Sequence, residues 1–205
     1  MKIAIIGTGN VGGALAKGFA KVGHEVLLGV RNPTDHKIKT LLDADARISA
    51  HEIREASEKA EVILLAIPPA AIFEIAQNLG NVTDKIIIDA SNSVFVKPEP
   101  YLHVCAALRD LKPEVHLVKC FNTTGYENME NPHYGDTAID MYVAGDSEQA
   151  KKVARTLAQE IGFGQVYDFG GFDKIPLIEQ FAMVWINLAI MQKEGRNMAF
   201  QILKR

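Results

Sequence analysis

The chain has 205 residues, 48% of them apolar, and a formal charge of −3. That length and apolar fraction suit one domain with a small appendage. The acidic balance, with no basic stripe interleaved with aromatics, excludes a nucleic-acid surface. Two cysteines, Cys105 and Cys120, lack metal-ligand spacing, which points to a reduced, cytoplasmic protein. The N-terminus enters a strand pattern directly, without a basic n-region or cleavage site, so no signal peptide is expected. The longest apolar run, Phe181–Met191, contains Asn187 and is about half a membrane span. It reads as a buried or interface helix, and no membrane span is expected.

In chain order, Lys2–Ile6 predicts a strand, and Asn10–Val22 a helix whose Ala14, Leu15, Phe19 and Val22 face a core until Gly23 stops it. Glu25–Gly29 reads as a second strand. Asn32–Leu42 reads as a loop and helix with Pro33 in its first turn. A short strand around Arg47–Ser49 precedes a polar helix, His51–Lys59. Glu61–Ile67 is a buried strand closed by Pro68 and Pro69, followed by a helix over Ala70–Leu79. Lys85–Asp89 is another buried strand, residues 94–100 are irregular, and Tyr101–Leu108 is helical. Strands at Val115–Lys119, Asp140–Ala144 and Gln165–Asp168 follow, with a helix Glu148–Ile161 between the last two. The final helix runs from about Pro176 to Met191. Strands alternating with helices at this rhythm define an α/β, Rossmann-like doubly wound, mostly parallel sheet with helices on both faces. The expected division is a nucleotide-binding domain over residues 1–170 and a C-terminal helical extension over residues 171–205.

The first strand ends in Gly7-Thr8-Gly9-Asn10-Val11-Gly12, a Gly-x-Gly-x-x-Gly turn that opens the first helix. That order directs backbone N–H groups and the positive end of a helix dipole at a pyrophosphate. Gly7 permits the tight turn, Gly9 lets the backbone approach the phosphates, and Gly12 lets the helix pack close to the strand. The motif alone is a weak signal. Strand, turn and helix together make it a dinucleotide site.

A carboxylate at the end of the second strand would hold the ribose hydroxyls of NAD. The matching position falls near Val30, and Arg31 and Asn32 follow it. A guanidinium pairs with a 2′-phosphate, whereas a carboxylate repels it. NADP is therefore the expected cofactor, with Asn32, Thr34 and Lys37 as further donors. In such a fold ligands lie beyond the carboxyl ends of the strands. Three segments qualify: Ala66-Ile67-Pro68-Pro69, Asp89-Ala90-Ser91-Asn92 and Lys119-Cys120-Phe121-Asn122-Thr123-Thr124. Ile67 and Pro68 offer an apolar wall. Ser91, Asn92, Phe121 and Asn122 complete the cofactor-binding set, with Asn92, Asn122 and the threonines able to hold a carboxamide or a second ligand. Asp89 reads as a strand end and turn cap, and Cys120 as a buried thiol.

These segments, in this order, resemble the coenzyme F-420-dependent NADP oxidoreductase family, which includes soluble deazaflavin:NADP reductases and the reductase domain of the STEAP metalloreductases. Gly7–Gly12, Gly29–Pro33, Ala66–Pro69, Asp89–Asn92 and Val118–Thr123 carry the likeness, and Gly162-Phe163, Leu177–Glu179 and Ala182–Ile186 extend it through the tail. The resemblance implies an NADP-binding Rossmann domain and hydride exchange with a flavin or deazaflavin. Members often have Ser at Val30, where a hydroxyl would help hold the 2′-phosphate, and Ala at Cys120.

No nucleophile–base pair or metal cluster stands out, so no catalytic residue or metal ligand is assigned. Hydride transfer between stacked rings relies mainly on positioning and on the cofactors' own electronics. Lys193 and Asn197 share a Lys-x-x-x-Asn spacing used by hydroxyacid dehydrogenases, yet only 37 residues follow Asp168, too few for a domain closing over a small substrate. An imine or hydroxyacid reductase and a non-catalytic NADP-binding sensor are the rival readings. The apolar final helix needs cover on more than one side. A homodimer through that helix near the acceptor site, with Trp185 as anchor, is expected.

Overall fold

The structure, a computed structural model, describes all residues from Met1 to Arg205. Six parallel strands form the central sheet: β1 (Lys2–Ile6), β2 (Glu25–Val30), β3 (Ile48–Glu52), β4 (Val62–Leu65), β5 (Ile86–Asp89) and β6 (His116–Lys119). Their spatial order is β3-β2-β1-β4-β5-β6. The order reverses between β1 and β4, so the loops leaving these two strands diverge and open a crevice at the carboxyl edge.

Both faces of the sheet are covered, which explains why its strands are apolar runs rather than alternating patterns. Ile3, Ile5, Val26, Leu28, Leu64 and Ile88 face α1 (Asn10–Lys21) and a long amphipathic helix further on, Glu148–Glu160. Ala4, Ile6, Leu27, Ile63, Leu65 and Ile87 face the opposite layer, made by α3 (Ile53–Lys59), α4 (Ile72–Asn78) and α5 (Val104–Leu111). The expected helix after Asn32 contracts to a 3₁₀ turn, His36–Ile38, and the single turn α2 (Lys39–Leu42). The turn is capped by the Asp35 carboxylate, and Pro33 stays in the preceding loop. His51 and Glu52, expected in a helix, extend β3 instead, where they pair with Gly29 and Val30.

Two elements escape sequence reading: a short helix α6 (Tyr126–Glu130) and a hairpin of β7 (His133–Tyr134) with β8 (Thr137–Ala138). The late strands β9 (Met141–Val143) and β10 (Val166–Asp168), joined by α7 (Glu148–Glu160), form their own parallel pair. That pair meets β6 only through an antiparallel bridge, Lys119 to Ala144.

The last segment is helical from Phe172 to Met191, comprising a 3₁₀ turn, α8 (Ile175–Ile186) and a final π turn. By length and composition these 20 residues are apolar enough to cross a membrane. They pack here against the Rossmann body through Ile175, Ile178, Glu179, Ala182 and Trp185. The tail then runs back across the body, with Asn128 and Trp185 both donating to the Met198 carbonyl.

Candidate active site

The turn after β1 is built from contacts only glycine allows. Gly7 has φ +101°, and a Cβ there would lie 2.2 Å from the Ala66 carbonyl oxygen at the exit of β4. A Cβ on Gly12 would lie 1.9 Å from the Gly7 carbonyl oxygen. These two residues lock the start of α1 onto the ends of β1 and β4. Gly9 is different: its φ of −72° and ψ of −166° suit any residue, and no atom lies within 4 Å of its missing Cβ. The amides of Asn10, Val11 and Gly12 make no hydrogen bond within the protein, and no acidic residue occupies the first turn of α1. An open space faced by free helix N–H groups is a ready site for a pyrophosphate.

A cleft of about 350 Å³ starts at Gly7 and Thr8 and runs between the end of β2 (Val30, Arg31, Asn32) and the wall of Ile67, Pro68 and Ala71. It has the walls an adenosine half requires. Arg31 lines it, but the guanidinium is already engaged: Nε lies 2.9 Å and Nη2 3.0 Å from the two Glu74 carboxylate oxygens. Arg31, expected at the 2′-phosphate, stands in an exposed, bidentate ion pair with Glu74. Lys37 also lines the cleft and has no carboxylate partner. Asn32 uses its Oδ1 to hold Thr34 and keeps its amide N–H₂ free.

A second cleft, about 220 Å³, lies on the other side of the phosphate turn. Thr8, Gly9, Asn10, Lys17 and Tyr126 line it, and Lys17 pairs with Glu130.

At the ends of β5 and β6, two loops are stitched together. Asn92 donates to the Asn122 carbonyl (2.7 Å), and Asn122 donates back to Asn92 Oδ1 (2.9 Å). Asn122 Oδ1 is buried and has no partner. Such an atom costs stability unless a donor reaches it. Phe121 holds φ at +61°, a strained value for a non-glycine residue, and this aims the loop. Its ring is fully buried between Phe19 and Phe163, so of Phe121, expected at the cofactor, only the backbone faces the loop. Ser91, also expected at the cofactor, is buried and donates its hydroxyl to Asp89 at 2.6 Å. Cys120 is buried, and desolvation pushes its thiol far above the ordinary value.

Sequence reasoning missed the feature beneath these loops. The Lys119 ammonium is fully buried between Asp89 Oδ2 (2.8 Å) and Glu179 Oε1 (2.6 Å). Burial opposes its charge, but the two carboxylates outweigh burial and hold its pKa above the ordinary lysine value. Desolvation dominates at Glu179 and raises its pKa despite Lys119. Cys105 donates to Asp89 from beneath (3.2 Å), and burial drives its thiol up. His103, whose Nδ1 caps α5 by accepting from Ala106, is pushed down to about 4, first by burial and then by Lys119. The partners of Lys119 lie 30 and 60 residues away, and no spacing rule links them.

One C-terminal expectation changes. Trp185 is buried in its own chain, donating to the Met198 carbonyl at 2.7 Å with its ring against Gly125, so it cannot anchor a partner. The outward face of the final helix is Leu177, Val184, Ile190 and Met191. Lys193 and Asn197 lie beyond the last helical turn, so their spacing makes no shared helix face.

A parallel sheet with a switch-point crevice and a glycine turn opening the first helix is the arrangement of the Rossmann dinucleotide-binding class. Residues 2–93 match the family of NADP oxidoreductases, coenzyme F420-dependent. An F420-dependent NADP reductase of Methanocaldococcus jannaschii is 27% identical over 94% of each chain. A solved structure from Arthrobacter sp. FB24, assigned as an F420-dependent NADP reductase, superposes with TM-score 0.87 and 26% identity, covering both chains in full. The metalloreductase STEAP3 of Rattus norvegicus is 26% identical over 79% of this chain and 32% of its own length. The chain thus resembles the F420-dependent NADP reductases over nearly its whole length and is an NADP-dependent oxidoreductase.

Proposed function

We propose that the protein exchanges hydride between NADP(H) and a flat deazaflavin or flavin acceptor, as a cytoplasmic homodimer. The observation that carries this reading is the continuity of the carboxyl edge. It offers a cleft sized for adenosine, then three free helix amides at an open Gly9, then an orphaned Asn122 Oδ1.

The chain's own groups then divide the work. The Asn10, Val11 and Gly12 amides hold the pyrophosphate, with the α1 dipole adding attraction. Lys37, the Asn32 amide and Arg31 on release from Glu74 meet the 2′-phosphate. Asn122 Oδ1 accepts from the nicotinamide carboxamide, satisfying an atom that the folded protein leaves unpaired. Asn92 holds Asn122 in place. When bound, NADPH supplies the hydride. A planar acceptor stacks on the nicotinamide beside Asn122 and excludes water from the transfer. No acid–base residue is needed in this reading, because ring placement sets the rate.

The exposed apolar stripe Leu177, Val184, Ile190 and Met191 supports a dimer in which a twofold-related copy covers it. The test of the function is turnover of NADPH with F420 and with FMN in parallel. Oxidation of NADPH with matching reduction of either acceptor supports the reading. Tight NADPH binding without turnover on either supports a sensor instead.

A further inference from the structure

We infer that Lys119 is a positioning residue for the nicotinamide half of the cofactor, acting through two carboxylates on the loop that carries Asn92. The inference rests on the assignment of Asn92 and Asn122 to the nicotinamide carboxamide.

The geometry forms a closed frame. Asp89 receives Lys119 on Oδ2 (2.8 Å) and uses Oδ1 for the Ser91 amide (2.9 Å) and hydroxyl (2.6 Å). Glu179 receives Lys119 on Oε1 (2.6 Å) and uses Oε2 for the Ser93 amide (3.1 Å). One ammonium thus fixes both residues flanking Asn92, from β5 on one side and α8 on the other. Asn92 is the member of the loop that grips Asn122 in both directions. Lys119, Asp89, Glu179, Ser91 and Ser93 are all buried, which strengthens the bonds among them.

The arrangement exceeds what holding the fold together requires. Two buried carboxylates on one cation leave an excess negative charge, and apolar residues would fill the same space at less cost. Buried polar networks are better suited to fixing one geometry. The Ser93 hydroxyl is buried and unpaired on the same loop, so the main-chain contacts to the carboxylates, not the side chain, set its position.

Two ligands separate positioning from general damage. NADPH engages both halves of the site, whereas 2′,5′-ADP engages only the adenosine half. The fluorescence of bound NADPH reports the surroundings of the nicotinamide directly. Glu179→Gln is the decisive variant. The two donors sit on different oxygens of Glu179, and in the amide one of those oxygens becomes an N–H₂ that faces a donor, so one of the two bonds is lost, yet Lys119 and Asp89 remain as a balanced pair. Lys119→Met is the companion variant, and Asn92→Ala and Asn122→Ala test the underlying assignment.

Glu179→Gln is expected to bind 2′,5′-ADP as the unaltered protein does, to weaken NADPH at least fivefold, and to shift or quench bound-nicotinamide fluorescence in the manner of Asn92→Ala. Should Lys119→Met fail to fold, Glu179→Gln alone decides. Normal NADPH affinity and fluorescence in Glu179→Gln, with both altered in Asn92→Ala, overturns the positioning role and leaves the assignment standing. Unaltered NADPH binding in Asn92→Ala and Asn122→Ala overturns the assignment itself. Parallel weakening of NADPH and 2′,5′-ADP in Glu179→Gln shows a general structural effect and also overturns the inference.

Discussion

Gly9→Ala isolates cofactor binding from folding. The backbone at Gly9 lies in the extended region open to alanine, and no atom lies within 4 Å of the added methyl. Replacing a glycine without strain reduces the entropy of the unfolded chain and stabilises by about 0.4–1 kcal/mol. For a domain of this size that corresponds to a melting point raised by roughly 1–4 °C. The methyl, however, occupies the space in front of the free amides of α1. Losing one charge-assisted amide–phosphate bond costs about 1.5–3 kcal/mol, roughly a 10- to 150-fold loss of NADPH affinity. Gly12→Ala must behave in the opposite manner. Its methyl would lie 1.9 Å from the Gly7 carbonyl oxygen, so it should destabilise by about 1–3 kcal/mol. Thermal melts and calorimetry on the two proteins check this directly. A Gly9→Ala protein that melts normally and binds NADPH unchanged refutes the assignment of the turn to the pyrophosphate.

Other consequences follow from the same site. Arg31→Ala should weaken NADPH roughly tenfold or more while sparing NADH, and Glu74→Gln should tighten NADPH by releasing the guanidinium; equal effects on both cofactors in calorimetry would remove Arg31 from discrimination. Lys119→Met strands two buried carboxylates and should cost about 3–5 kcal/mol in denaturant unfolding. For Glu179, burial raises the folded pKa above the unfolded one. Its contribution is therefore present at acidic pH and lost as pH rises through the folded pKa. The melting-point difference between Glu179→Gln and the unaltered protein should consequently move in favour of Gln between acidic and neutral pH, and a difference independent of pH would contradict the desolvated carboxylate. Val184→Glu, on the outward face of α8, should give a monomer in light scattering with an unchanged melting profile of the fold, whereas an unchanged dimer would move the interface elsewhere.

The sheet was legible because a doubly covered parallel strand must be an apolar run, and Ile63–Leu65 and Ile86–Ile88 are such runs. The turn after β1 was legible because its three glycines have a fixed geometric meaning. Short elements were not: α6 and the 133–138 hairpin have too few residues to show a period. Phe121 gives no sign of its positive φ, since only tertiary contacts with Phe19 and Phe163 hold it there. Arg31 was visible as a cation beside the cleft, but its pairing with Glu74 joins elements 43 residues apart. The same distance problem hid Lys119, which reads locally as a strand-end lysine bound for solvent. Trp185 illustrates the limit of an apolar stripe: composition marks the helix as needing cover but does not say which residues meet its own chain.

The central claim is that the continuous carboxyl edge brings NADPH and a planar acceptor together for direct hydride transfer. The most direct measurement is a single-turnover reaction of the protein loaded with stereospecifically deuterated NADPH and mixed with F420 or FMN. Transfer of the label as deuteride from one face of the nicotinamide only, matched mole for mole by reduced acceptor, is the predicted result, with the rate falling in Gly9→Ala when NADPH is subsaturating. Bound NADPH that persists unoxidised in the presence of both acceptors would contradict it.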